Sequence, residues 1–114
     1  MWRKAHALVL NVRQTSQRFP RSGYAPLKLQ LTRSAESIPF NIVEGSGAST
    51  RKEFARFLNI SIKSANETEY QLMLARDYSV MTTADWKFLS EETISVRRML
   101  YSLRKKILDA DQDQ

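Results

Sequence analysis

Four stretches of the sequence place apolar and small residues three and four apart, and none sustains the alternation of a strand. This pattern constrains the fold most. Trp2, Ala5, Val9, Val12, Ser16 and Phe19 share one helical face, ending at the proline–glycine break "FPRSG". Tyr24, Leu27, Leu31, Ala35, Ile38, Ile42 and Gly45 form a second line. Phe54, Phe57, Leu58, Ser61, Ala65, Thr68, Leu72 and Ala75 form a third. Trp86, Leu89, Thr93, Val96, Leu100, Leu103 and Ile107 form a fourth. The lines predict helices over about 2–18, 24–46, 51–79 and 83–108, followed by an acidic tail, 109–114. Thr50 to Glu53, "TRKE", reads as a capping box, and "TTAD" (Thr82 to Asp85) as a weaker one.

Pro39, inside "SIPFNIVEG", tests the second helix. A proline inside a helix costs roughly 3 kcal/mol, through a lost hydrogen bond and a clash with the preceding turn. Ending the helix at Ser37 would make "FNIVEG" a strand with no partner anywhere in the chain. Running through keeps Ile38, Ile42 and Gly45 on the line set by Leu31 and Ala35. A helix kinked at Pro39 is therefore expected. The fold class is all-α: a single-domain, up-down-up-down antiparallel four-helix bundle.

Composition narrows function by exclusion. The 114 residues include no cysteine and a single histidine, His6. Disulfides, thiolate chemistry and thiolate metal sites are absent, and a bundle di-metal centre would need two Glu-x-x-His pairs. Ser–His catalysis would have one base, on the first helix, with no acid nearby in sequence. "GSGAS" lacks the spacing of a phosphate loop. No enzyme, cofactor or metal is expected. The apolar run near the N-terminus is broken at Asn11 and Arg13, and no stretch approaches the roughly 18 apolar residues of a membrane span. A cytoplasmic location without membrane contact is expected.

The net charge is +6, and three of the twelve acids (Asp109, Asp111, Asp113) crowd the tail "DADQDQ". A basic body favours polyanionic partners as a class. Arg56 and Lys63 share the outer face of helix three, while Lys87, Arg98 and Lys105 share that of helix four. Arg51 and Lys52 stand at the N-terminus of helix three, where free N–H groups attract anions. With both tryptophans on core lines, binding through these seven should be backbone-directed and sequence-tolerant. A merely solvated face is the plainer alternative.

Two further sets stand out. Phe40 and Val43 point away from the core line of helix two, and Tyr70 and Leu74 from that of helix three. Large apolar residues paired at helical spacing imply a second buried face, hence self-association. Asn41 and Glu44 on helix two, with Ser64 and Glu67 on helix three, are either a small polar site or a network that fixes register. The second reading is preferred, because buried polar groups usually exist to be paired.

The pattern "SIPxNIxEG", followed by "EFARFLNIS" and "SxxE", resembles proteins encoded in intervening sequences of bacterial 23S rRNA genes. The resemblance runs from Trp2 to about Leu108. Pro26 stands where that family tends to have glycine, and Thr32 where it often has arginine. The resemblance implies a kinked second helix carrying Pro39, Asn41, Glu44 and Gly45, and assembly into a homopentameric ring. More distantly the chain is similar to accessory proteins of diversity-generating retroelements, which bind a reverse transcriptase and nucleic acid. Two functions stay open: a nucleic-acid (RNA) or ribonucleoprotein accessory protein, and a scaffold whose ring surface binds a protein partner.

Overall fold

The computed structural model describes residues 2–112. Four helices, α1 (Arg3–Ser16), α2 (Ala25–Ser46), α3 (Arg51–Asp77) and α4 (Thr83–Gln112), make up the structure, and no strand occurs among the described residues. Each packs against the next, and α1 closes the bundle against α4. Cross-contacts establish direction. Along α3, Asn59, Glu69 and Arg76 meet Arg104, Arg97 and Trp86, so residue numbers rise on one helix as they fall on the other. The α2–α3 and α1–α4 pairs run antiparallel in the same way. The molecule measures 54 × 21 × 19 Å, its long axis set by α4, whose thirty residues span about 45 Å.

The core follows the four apolar lines. Leu8, Val12, Leu31, Ile38, Ile42, Leu58, Leu72, Leu89, Val96 and Leu100 are essentially inaccessible. Trp2 departs from expectation: it precedes α1 and is 46% exposed, edge-on to His6. The first helix also begins without a side-chain cap or an acid in its first turn. By contrast the Thr50 hydroxyl accepts from the Glu53 N–H at 3.1 Å, and that of Thr82 from the Asp85 N–H at 3.0 Å.

The acidic tail is also revised. Helix α4 continues through Asp109 to Gln112, with Asp109 one turn beyond Lys105 and 4.0 Å from its ammonium. Asp113 and Gln114 lie outside the described residues. In the turn before α4, Ser79 adopts φ 60°, a left-handed position where glycine would carry less strain.

Helix α2 passes through Pro39 without interruption. Its C-terminal half lies close to α3, for a reason carried by Gly45. A Cβ built there would stand 2.8 Å from both the Phe54 ring and the Phe57 Cβ. Only a residue without a side chain lets the two backbones come this near.

Candidate nucleic-acid interface

The α2–α3 seam holds a line of hydroxyls. Ser61 donates to the Ile38 carbonyl at 2.9 Å, and the Ser37 and Ser64 hydroxyls share a hydrogen bond of 2.8 Å. Thr68 lies 2.9 Å from Ser34, whose hydroxyl also reaches Gln71. Asn41 donates to the Ser37 carbonyl and hydroxyl at 2.8 and 3.0 Å. Of the carbonyls around Pro39 these donors reach those of Ser37 and Ile38; none reaches that of Ala35, which loses its helical N–H partner to the proline. Asn41, Gly45 and Ser64 thus belong to a structural seam. Glu44 and Glu67 are exposed and make no side-chain hydrogen bond among the described residues, so the expected network does not include them.

All seven basic residues singled out from sequence, Arg51, Lys52, Arg56, Lys63, Lys87, Arg98 and Lys105, are exposed. Helical geometry turns Lys52, Arg56 and Lys63 of α3 and Lys87, Arg98 and Lys105 of α4 onto one side of the bundle. Asn59–Arg104 at 2.6 Å and Glu69–Arg97 at 2.9 Å hold these helices in register. Arg56 and Lys63 therefore stand level with Lys105 and Arg98. Two of the charges have local partners: Arg56 pairs with Glu53 at 2.6 Å, and Lys105 with Asp109. The hydrogen bond from Arg56, reinforced by its charge, holds the Glu53 carboxyl below its ordinary range.

Sequence reasoning missed Arg97 and Arg104, which tie the face together. A signal was present: Asn59 and Asn66 are seven apart on α3, as Arg97 and Arg104 are on α4. In an antiparallel pair such spacing brings the two sets together once per heptad, and Arg97 also reaches Asn66 at 2.9 Å.

Between α3 and α4 this face opens into a groove of about 570 Å³. Tyr70, Met73, Trp86 and Ile94 supply its apolar walls, and Lys87 and Glu91 lie along α4. Trp86 is half-buried, with the Arg76 guanidinium 4.2 Å from its ring centre. Trp86 packs against the core as its place on the fourth apolar line implies, and its remaining surface lines the groove on the basic face. Arg104 stacks on the exposed Tyr101 in the same manner at 4.9 Å.

The four outward apolar residues do not form one patch. Phe40 (63% exposed) and Val43 (54%) lie with Leu29 on the α1–α2 side, away from the basic face. Tyr70 lines the groove, and Leu74 is half-buried. His6 stands exposed at the start of α1. Among the described residues no cluster of His, Asp or Glu could hold a metal ion, and no helix is long and apolar enough to cross a membrane.

Comparisons with known proteins agree with this architecture. No curated protein matches the chain. A crystal structure of a protein of unknown function from the S23 ribosomal protein family of Bacteroides thetaiotaomicron superposes with a TM-score of 0.85 at 26% identity, covering 91% of this chain and 97% of that one. The family model described as 23S rRNA-intervening sequence protein matches residues 1–102. With most of its length matched and the same four-helix fold, the chain belongs to the 23S rRNA-intervening sequence protein family.

Proposed function

We propose that this protein is a non-enzymatic binding protein that holds nucleic acid, RNA or a ribonucleoprotein, by its phosphates along the α3–α4 face. The observation that carries the reading is the placement of basic side chains from both helices on one face, at matching levels, with Arg97 and Arg104 bridging the helices. The second part of the proposal is self-association through the α1–α2 side, where Leu29, Phe40 and Val43 are exposed. Exposed apolar residues at this spacing gain little in a monomer and much in an interface. Keeping the two contacts on opposite sides allows assembly and nucleic-acid binding together. A homopentameric ring would repeat the basic face around its circumference. Multivalent contact would then strengthen binding wherever one strand spans several subunits.

The test is binding to random-sequence RNA at graded salt. Affinity should fall steeply, and the log–log slope should become shallower by about one unit for each phosphate contact removed. Arg56→Glu with Lys63→Glu should weaken binding whatever sequence is offered. Phe40→Glu should yield smaller species by sedimentation while helical circular dichroism is retained. Binding indifferent to salt and to the paired charge reversals would favour the scaffold reading, in which the charge serves solubility and the surface meets a protein.

A further inference from the structure

Seven polar residues are buried in the described structure, and six of them have hydrogen-bond partners. Ser16, Ser34 and Thr93 donate to carbonyls of their own helices, and Ser61 to a carbonyl of α2. Ser64 and Thr68 bond within the α2–α3 seam. The seventh is Ser90. Ser90 is 7% exposed and its hydroxyl is covered, yet that hydroxyl has no partner among the described residues. A helical serine can ordinarily satisfy itself on the carbonyl one turn back, as Thr93 does at 2.7 Å. Ser90 does not, and it lines the α3–α4 groove.

Three properties of the groove define its occupant. The unpaired hydroxyl is covered by the protein, and by turning about χ1 toward the groove it would gain a bond from a polar atom of the occupant that an apolar one cannot give. The walls, Tyr70, Met73, Trp86 and Ile94, favour a flat or apolar body. Lys87 at the rim, with Lys63 and Arg98 on the outward surfaces beside it, favours a negative charge attached to that body. Of the two acids there, Glu69 is held by Arg97 at 2.9 Å, leaving Glu91 as the one that repels an anion. An apolar side chain from a second copy meets only the second condition, and free phosphate only the third. A heteroaromatic ring with a polar edge, joined to a phosphate, meets all three. The volume, about 570 Å³, lies within the ordinary range for ligand pockets.

We propose that the α3–α4 groove takes an unstacked base of single-stranded nucleic acid, with the Ser90 side chain turning its hydroxyl to the base's polar edge and Lys87 meeting its phosphate. This deepens the nucleic-acid proposal and rests on it. Single strands are commonly bound in this way, aromatic walls taking bases and cations tracking the backbone. The face then prefers single strands to duplexes, in which the bases are already stacked and paired.

The experiment uses the full chain carrying Trp2→Phe, so that Trp86 is the sole source of tryptophan fluorescence. A labelled single-stranded RNA and an abasic oligonucleotide of equal length are titrated at low salt, with anisotropy reporting binding and emission reporting the groove. The base-bearing strand should bind and change Trp86 emission; the abasic strand should bind more weakly and leave it unchanged. Ser90→Ala should weaken the base-bearing strand roughly two- to tenfold, with the salt slope preserved. Lys87→Gln should reduce that slope by about one. Binding without a Trp86 response, an equal response to the abasic strand, or parental affinity in Ser90→Ala overturns the base site and leaves phosphate binding standing. Failure of every strand to bind at low salt overturns both.

Discussion

The two seams of helix α3 use the same residue type to opposite ends. Toward α2, serines and threonines are buried and every one is partnered, while Gly45 lets the backbones close to contact. Toward α4, Tyr70, Met73, Trp86 and Ile94 line a groove, and the hydroxyl of Ser90 has no partner among the described residues. Small polar residues can therefore seal a helix pair or leave a hydroxyl without a partner. What decides is whether the opposing helix offers a partner within reach. On α2, the Ile38 carbonyl accepts from Ser61 of α3, and the Ser34 and Ser37 hydroxyls meet Thr68 and Ser64. At Ser90, by contrast, α3 offers no partner.

This contrast can be broken by stability measurements in denaturant. Gly45→Val should have the largest effect, about 3 kcal/mol, because the added carbons overlap the Phe57 Cβ as well as the Phe54 ring. In a domain of this size that corresponds to a fall in Tm of roughly 15 °C. A near-neutral result would mean that the close approach is soft and the seam no tighter than its neighbour. Ser61→Ala should cost about 1 kcal/mol by removing the bond to the Ile38 carbonyl. Arg97→Ala removes a partly exposed ion pair with Glu69 and should cost at most about 1 kcal/mol, less at high salt. Ser90→Ala should change stability least, by under about 0.5 kcal/mol or in the favourable direction, because no bond is lost. Should Ser90→Ala cost as much as Ser61→Ala, its hydroxyl would be structural and the contrast between the seams would disappear.

Much of this architecture was legible in the residues, and the reasons are specific. The 3–4 spacing of Leu31, Ala35, Ile38 and Ile42 outweighs one proline, because a helix break would expose them together. The cap at Thr50 has only local requirements and can be read locally. Trp2 misled because it continues the α1 line in sequence while lying ahead of the helix, where no neighbour covers it. The acidic end misled because charge composition suggested a tail, whereas Lys105 and Asp109 fit a helix. The groove and Ser90 were illegible, since both depend on which residues of α3 and α4 come level. Glu44 and Glu67 looked like members of a polar site only because their neighbours in sequence are.

The unequal ends of the helices have a consequence for how the molecule opens. Helix α1 is the shortest, starts without a cap, and is tied to α4 by Asn11–Glu92, with the exposed Arg18–Asp85 pair just beyond its C-terminus. The α2–α3 hairpin, by contrast, is laced through its middle by hydroxyls, from Thr68–Ser34 to Ser61–Ile38. Local unfolding follows such differences, with weakly anchored segments opening at lower free energy than the global transition. Amide hydrogens of α1 should therefore exchange before those of α2 and α3, as a cooperative unit. When α1 departs, it uncovers its side of the bundle and leaves the α3–α4 face intact. The wall that opens first is thus the one opposite the basic surface, and its loss would leave the arrangement of α3 and α4 in place.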